Sequence, residues 1–182
     1  MRYVFVVGAL LAGLLVAGQT QAARTEAGRL VSGGQLGLAF LTHDAAEHDT
    51  ESLTLTYRAG YFMANNLALE GRFGLGLSNE QRDESAPDDS LSLDRLFGVY
   101  LTGYLPIRTD ASFYAAMGYS DIRIVESTIG GDAAHRGNGL SLGIGAEVIA
   151  MDGFRFSVEY MRYLHNDELS ASMLSVGGLF TF

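Results

Sequence analysis

Arg58, Glu70, Arg72, Glu147, Arg155 and Glu159 each stand among residues that are otherwise small, polar or apolar. Glu70 and Arg72 are two apart, and Arg155 and Glu159 four apart. Acids and bases placed this way can pair as buried ions, or they can pass ions or protons along a gated path. A buried unpaired charge is very costly, so a structural network of paired charges is the expectation and the path is the alternative. Nucleophilic chemistry needs a base beside a hydroxyl. His135, Ser141 and Glu147 are the nearest such set, but a triad is defined by geometry. Glu147 is expected to lie too deep for it. Metal chemistry needs grouped ligands. His43 and His48 with Asp44, Glu47 and Asp49 show no recognised ligand spacing, and a solvated loop is expected there. Gly71-x-x-Gly74-x-Gly76 and Gly143-x-Gly145 lack the strand-to-helix context of a phosphate loop. Non-catalytic work, with no cofactor, is the reading these residues favour.

The elements that position these groups show alternation with a period of two. In the run from residue 67, Leu67, Leu69, Phe73, Leu75 and Leu77 oppose Ala68, Glu70, Arg72, Gly74 and Gly76. Leu140, Leu142, Ile144, Ala146 and Val148 oppose Ser141, Gly143, Gly145 and Glu147. Phe154, Phe156, Val158 and Tyr160 oppose Arg155, Ser157 and Glu159, and Leu53, Leu55, Tyr57 and Tyr61 oppose Thr54, Thr56, Arg58 and Gly60. Eight strands follow: Gly34–Thr42, Ser52–Met63, Leu67–Ser78, Leu91–Leu105, Ser112–Val125, Gly139–Ala150, Phe154–Leu164 and Ser172–Phe182. Each is near or above the ~9–11 residues that a tilted strand needs to cross a bilayer.

Asn65-Asn66, Pro106 to Asp110 and Asp152-Gly153 make tight turns, and the other four connections are longer and polar. Short turns at one end and long loops at the other describe an up-and-down, eight-stranded antiparallel transmembrane β-barrel. Its oily face looks at lipid. Its narrow interior takes glycine and paired charges. The fourth strand breaks the rule, because Arg95 shares the outward parity of Leu91, Leu93, Phe97 and Val99; it sits at the outer rim, or a bulge switches the register. In the fifth, Phe113, Ala115, Met117 and Tyr119 are assigned to lipid. Tyr61, Phe62, Tyr104, Phe113, Tyr114, Phe154, Phe156, Phe180 and Phe182 gather by the tight turns, as an aromatic girdle would.

Residues 1–22 read as an export leader: Met1-Arg2, then an apolar run from Tyr3 to Val16, then Thr20 and Ala22 before a cut after Ala22. Residues 23–182 are the barrel. Cysteine is absent, which excludes lipoprotein attachment and disulfides. All 12 basic residues are arginine, against 21 acids. Thirteen acids fall in four outer loops, among them Glu80, Asp83, Glu84, Asp88 and Asp89, opposed there only by Arg82 and Arg136. Such a charge argues against nucleic acid as a partner. Beside lipopolysaccharide phosphates these carboxylates would repel unless divalent cations intervene, so Ca²⁺ or Mg²⁺ at the loops is an expectation.

Arg58-Ala59-Gly60-Tyr61 with Asn65 to Phe73, and Gly143 to Val148 with Asp152 to Tyr163, resemble the second–third and sixth–seventh strands of the OmpA-like small outer-membrane barrels (OmpA, OmpX, Ail and related porin-family proteins). The resemblance implies a monomer in a Gram-negative outer membrane, among lipid and lipopolysaccharide. It also implies that Val176, Phe180 and Phe182 form the C-terminal signal read by the barrel-assembly machinery, with periplasmic chaperones delivering the chain. The chain ends at Phe182 without the peptidoglycan-binding domain of OmpA, so a periplasmic anchoring role is not expected. The functions implied are structural or surface-interacting. A narrow porin-like channel for ions or small solutes is the alternative, and lipid A modification a third.

Overall fold

The computed structural model describes residues 25–43, 50–77, 90–128, 131–151, 153–163 and 169–182. Eight antiparallel strands run in chain order around a closed barrel: β1 (Leu30–His43), β2 (Thr50–Ala64), β3 (Leu67–Gly76), β4 (Ser90–Pro106), β5 (Ala111–Thr128), β6 (Gly131–Met151), β7 (Phe154–Tyr163) and β8 (Leu169–Thr181). β1 closes on β8, with Val31 opposite Thr181 and His43 opposite Leu169. Closure removes both sheet edges, which is what a strand-built structure needs in lipid.

The period-two sequence pattern becomes two faces. Along β3 exposed Leu69, Phe73 and Leu75 alternate with buried Ala68, Glu70, Arg72 and Gly74. Ile144 remains 66% exposed, whereas Arg58, Glu70, Arg72, Glu147, Arg155 and Glu159 are all 2% exposed or less. Phe113, Ala115, Met117 and Tyr119 of β5 are exposed, and Tyr114, Ala116 and Ser120 buried. An apolar outside around a polar inside inverts the order of a soluble fold and is the order of an outer-membrane barrel.

The tight ends follow from turn chemistry. Asn66 takes φ 64° and Gly153 φ 76°, the left-handed region that asparagine and glycine tolerate. The 107–110 turn is held by Ile107 N–H donating to the Ala111 carbonyl at 3.0 Å. Residues before β1 reach under this end: Asn66 N–H donates to the Thr25 carbonyl at 2.7 Å, and Gly28 N–H to the Phe62 carbonyl at 2.8 Å.

Three expectations need correction. The third outer connection is no long loop. β5 and β6 stay paired as far as Thr128 opposite Gly131, so Glu126 and Asp132 lie in strands that the alternation alone ended too early. In β4 a bulge lies between Leu93 and Arg95. Asp94 and Arg95 are both exposed, while Leu93 and Leu96 are buried; Leu93 therefore faces the lumen, not lipid. Of the nine girdle aromatics, Phe62, Tyr104 and Tyr114 are buried inside the barrel. They sit next to the turns because they close the lumen there, while Tyr61, Phe113, Phe156, Phe180 and Phe182 remain outside.

Candidate functional site

The lumen holds the chemistry. β2, β3 and β7 bring Arg58, Glu70, Arg72 and Glu159 together because each takes the inward parity of its strand. Arg58 and Arg72 lie directly opposite one another across β2 and β3. Two guanidinium groups in that position repel unless carboxylates lie between them. Glu70 does: Arg58 Nη2 donates to Glu70 Oε2 at 2.8 Å and to Oε1 at 3.0 Å, and Arg72 Nη2 donates to Oε2 at 3.0 Å. Arg72 Nη1 donates to Glu159 Oε1 at 2.6 Å, and Arg58 Nη1 lies 3.6 Å from Glu159 Oε2. The Tyr104 hydroxyl donates to Glu70 Oε1 at 2.9 Å. Arg72 stacks on the Tyr100 ring at 4.5 Å and Arg58 on Tyr114 at 5.4 Å, contacts that offset part of the desolvation of a guanidinium.

Arg155 and Glu147 form a second pair nearer the tight-turn end. Arg155 Nη2 also donates to Thr181 Oγ1 at 2.6 Å, and its guanidinium lies 5.8 Å from the Phe62 ring. The six charges number three arginines and three glutamates, so the buried charges among the described residues balance.

Two apolar groups flank the cluster of Arg58, Glu70, Arg72 and Glu159, and Arg155 lies level with the second of them, opposite Leu179. On the outer side Leu93, Leu96, Tyr100, Ala116, Ile122, Ile124, Met161, Tyr163, Ala171 and Met173 pack as one cluster. On the tight-turn side Val31, Phe62, Ala68, Tyr104, Tyr114 and Leu179 pack as another. Tyr104 stacks between Phe62 and Tyr114, with ring centroids 5.3 and 5.5 Å away. The outer cluster was not picked out from the sequence. The signal was there in the parity of Glu159, which carries straight on to Met161 and Tyr163, and of Ser120, which carries on to Ile122 and Ile124.

The candidate catalytic set does not assemble. Ser141 is buried in the lumen, where its Oγ shares a hydrogen bond with Ser120 Oγ at 2.7 Å, and Ser120 in turn bonds the Tyr100 hydroxyl. Glu147 is taken by Arg155. His135 lies in β6 opposite Ile124. His48, Asp44, Glu47 and Asp49 lie outside the described residues, as do the acids at 80–89, Asp167 and Glu168, His165, and the leader. Among the described residues, no group of three or more His, Asp or Glu is arranged to hold a metal ion.

On the outside of β8, Val176, Phe180 and Phe182 are 48%, 50% and 67% exposed. Phe180 packs on Phe154 with ring centroids 4.8 Å apart.

The family model described as the outer membrane protein beta-barrel domain matches residues 8–182. A search of curated proteins finds no match. The fold is similar to that of Ail, the attachment invasion locus protein of Yersinia pestis, at 14% identity and a TM-score of 0.67 over 86% of this chain and 99% of that one. It is similar to Neisserial surface protein A at 16% identity and a TM-score of 0.68, over 85% and 99%. The N-terminal barrel domain of Pseudomonas aeruginosa OprF is similar at 12% identity and a TM-score of 0.59, over 82% and 97%.

Proposed function

We propose, for a chain that belongs to the outer membrane protein beta-barrel family and resides in an outer membrane, a non-catalytic role as a structural or surface-interaction barrel that presents acidic loops outside. The observation that carries this reading is the enclosed lumen. The charge-balanced cluster of Arg58, Glu70, Arg72 and Glu159 lies between two apolar plugs, and an eight-stranded barrel has an interior that side chains about fill. Ions crossing it would have to break the buried pairs and enter an apolar cluster, both costly steps. The Tyr100, Ser120 and Ser141 hydroxyls are tied to one another, and the Thr181 hydroxyl to Arg155.

The channel reading draws on the same charges, and planar-bilayer recording separates the two. The structural reading predicts a flat baseline; reproducible single-channel steps would support transport of ions or small solutes instead. Lipid A modification is a third outcome, detected as altered lipid A masses on expression. Four further assignments belong to the proposal. Residues 1–22 are an export leader, and the purified barrel should have the intact mass of a chain starting at Ala23; retention of residues 1–22 would remove that assignment. Val176, Phe180 and Phe182 present the assembly signal. The six lumen charges are a structural network. The outer-loop carboxylates recruit divalent cations, which calcium titration with and without the 80–89 acids neutralised would decide.

A further inference from the structure

Thr25 lies ahead of β1, yet it is only 4% exposed. A residue past the end of a barrel wall meets lipid or water on every side but one. It is buried only by turning in under the mouth of the lumen. The residues that follow, Glu26, Ala27 and Gly28, are exposed. The segment is therefore one layer thick, dry on the side of Thr25 and wet on the other.

Its printed bonds fasten it to a single hairpin. Phe62 N–H donates to the Arg29 carbonyl at 2.9 Å, and Gly28 N–H to the Phe62 carbonyl at 2.8 Å, which carries the β1–β2 pairing past Leu30. The chain then leaves the ladder at Gly28, where φ is 90°. It crosses the end of β2 to reach the β2–β3 turn. There Ala27 N–H donates to Asn65 Oδ1 at 3.0 Å, Asn66 N–H donates to the Thr25 carbonyl at 2.7 Å, and Thr25 Oγ1 donates to Asn66 Oδ1. The barrel wall closes independently of these bonds, since β1 pairs with β8 from Val31 onward. Gly28 has the geometry of a hinge. Its φ lies in the left-handed region that glycine takes at little cost and a side chain does not. A Cβ at that position would meet nothing within 4 Å, so a side chain there strains the backbone without striking a neighbour. Beneath the segment Phe62 and Ala68 face one another across β2 and β3, both 0% exposed although they stand beside the turn. Behind the Phe62 ring, 5.8 Å away, is the guanidinium of Arg155, paired with Glu147.

We propose that residues 25–28 are a lid, hinged at Gly28 and latched on Asn65 and Asn66, that shuts the tight-turn mouth over Phe62 and Ala68. It keeps water from the Arg155–Glu147 pair, whose attraction bulk solvent would weaken. A short segment held by a handful of bonds at one turn opens locally, at a cost well below that of unfolding the barrel. The lumen thus has one closure built of strand side chains at its outer end and one detachable closure at the other. The inference rests on the fold and not on the non-catalytic reading; altered lipid A masses would overturn that reading and leave the lid untouched.

The chain has no cysteine, so a single introduced thiol reports on its own site. Ala68→Cys places one beneath the lid, and Ala116→Cys places a reference in the outer cluster. Each is reacted with a charged, water-soluble methanethiosulfonate on the refolded barrel in bilayer nanodiscs, where both ends meet the reagent. With the lid intact both thiols should react slowly. Gly28→Val should speed reaction at Ala68→Cys about tenfold, the shift that left-handed strain on a side chain produces. A barrel that starts at Arg29 should react about a hundredfold faster, the equilibrium worth of roughly three net hydrogen bonds. Asn66→Gly, which keeps the turn conformation and removes the side-chain latch, should act in the same direction. The rate at Ala116→Cys should not change in any of them. Heat-modifiable migration checks folding, and Gly28→Val decides the matter if the shortened barrel does not fold. An unchanged rate at Ala68→Cys in the folded variants would overturn the lid. A matched rise at Ala116→Cys would show the whole barrel loosening, and would overturn it as well.

Discussion

Glu70 accepts from Arg58, Arg72 and Tyr104 at once, so its removal leaves two opposed guanidinium groups with Glu159 as their one carboxylate among the described residues. Glu70→Gln keeps the shape and removes the charge. It is expected to cost about 3–5 kcal/mol, the scale for breaking a buried ion pair from one side, measured by urea unfolding of the barrel in bilayers. Glu51→Gln, on the exposed face of β2, should stay within about 0.5 kcal/mol. Equal costs at the two positions would show that the lumen is wet. The inward charges could be read before any coordinates because each interrupts a small-residue parity with a group that lipid would not accept. Their partners could not. Which glutamate meets which arginine depends on the shear of the barrel, and that is set by the register of all eight strands together.

At the level of the strands, β8 holds the most direct consequence. Its outward residues Val176, Phe180 and Phe182 face lipid while Met173, Ser175 and Leu179 face inward. Phe180→Ser with Phe182→Ser should slow assembly by the cellular machinery severalfold, read as the folded fraction on a heat-modifiability gel after pulse labelling. Refolding of the same variant from urea into detergent should change far less, since lipid contact and the Phe154 stack are only part of the closure. A matched loss in both would reduce these aromatics to packing. Strand number and facing were legible in sequence because a one-residue slip turns every side chain to the other face. The exceptions have physical causes. The Asp94 bulge inserts one residue and so reverses the parity of Leu93. The β5–β6 hairpin runs past the membrane into water, where apolar alternation is no longer demanded and the pattern fades.

For the whole molecule, the claim that matters most is that the barrel is a closed body, oily outside and dry within, rather than a water-filled tube. Conductance tests one consequence of it. Scanning β5 with single nitroxide labels in bilayers tests the claim itself, because that strand passes through the outer apolar plug. Labels at Phe113, Ala115 and Met117 should relax with dissolved oxygen, as lipid-facing sites do. Labels at Ala116 and Ile122, both 2% exposed or less, should respond to neither oxygen nor a water-soluble nickel reagent. Strong nickel relaxation at Ala116 and Ile122 would place water where packed side chains belong, and would contradict the closed barrel.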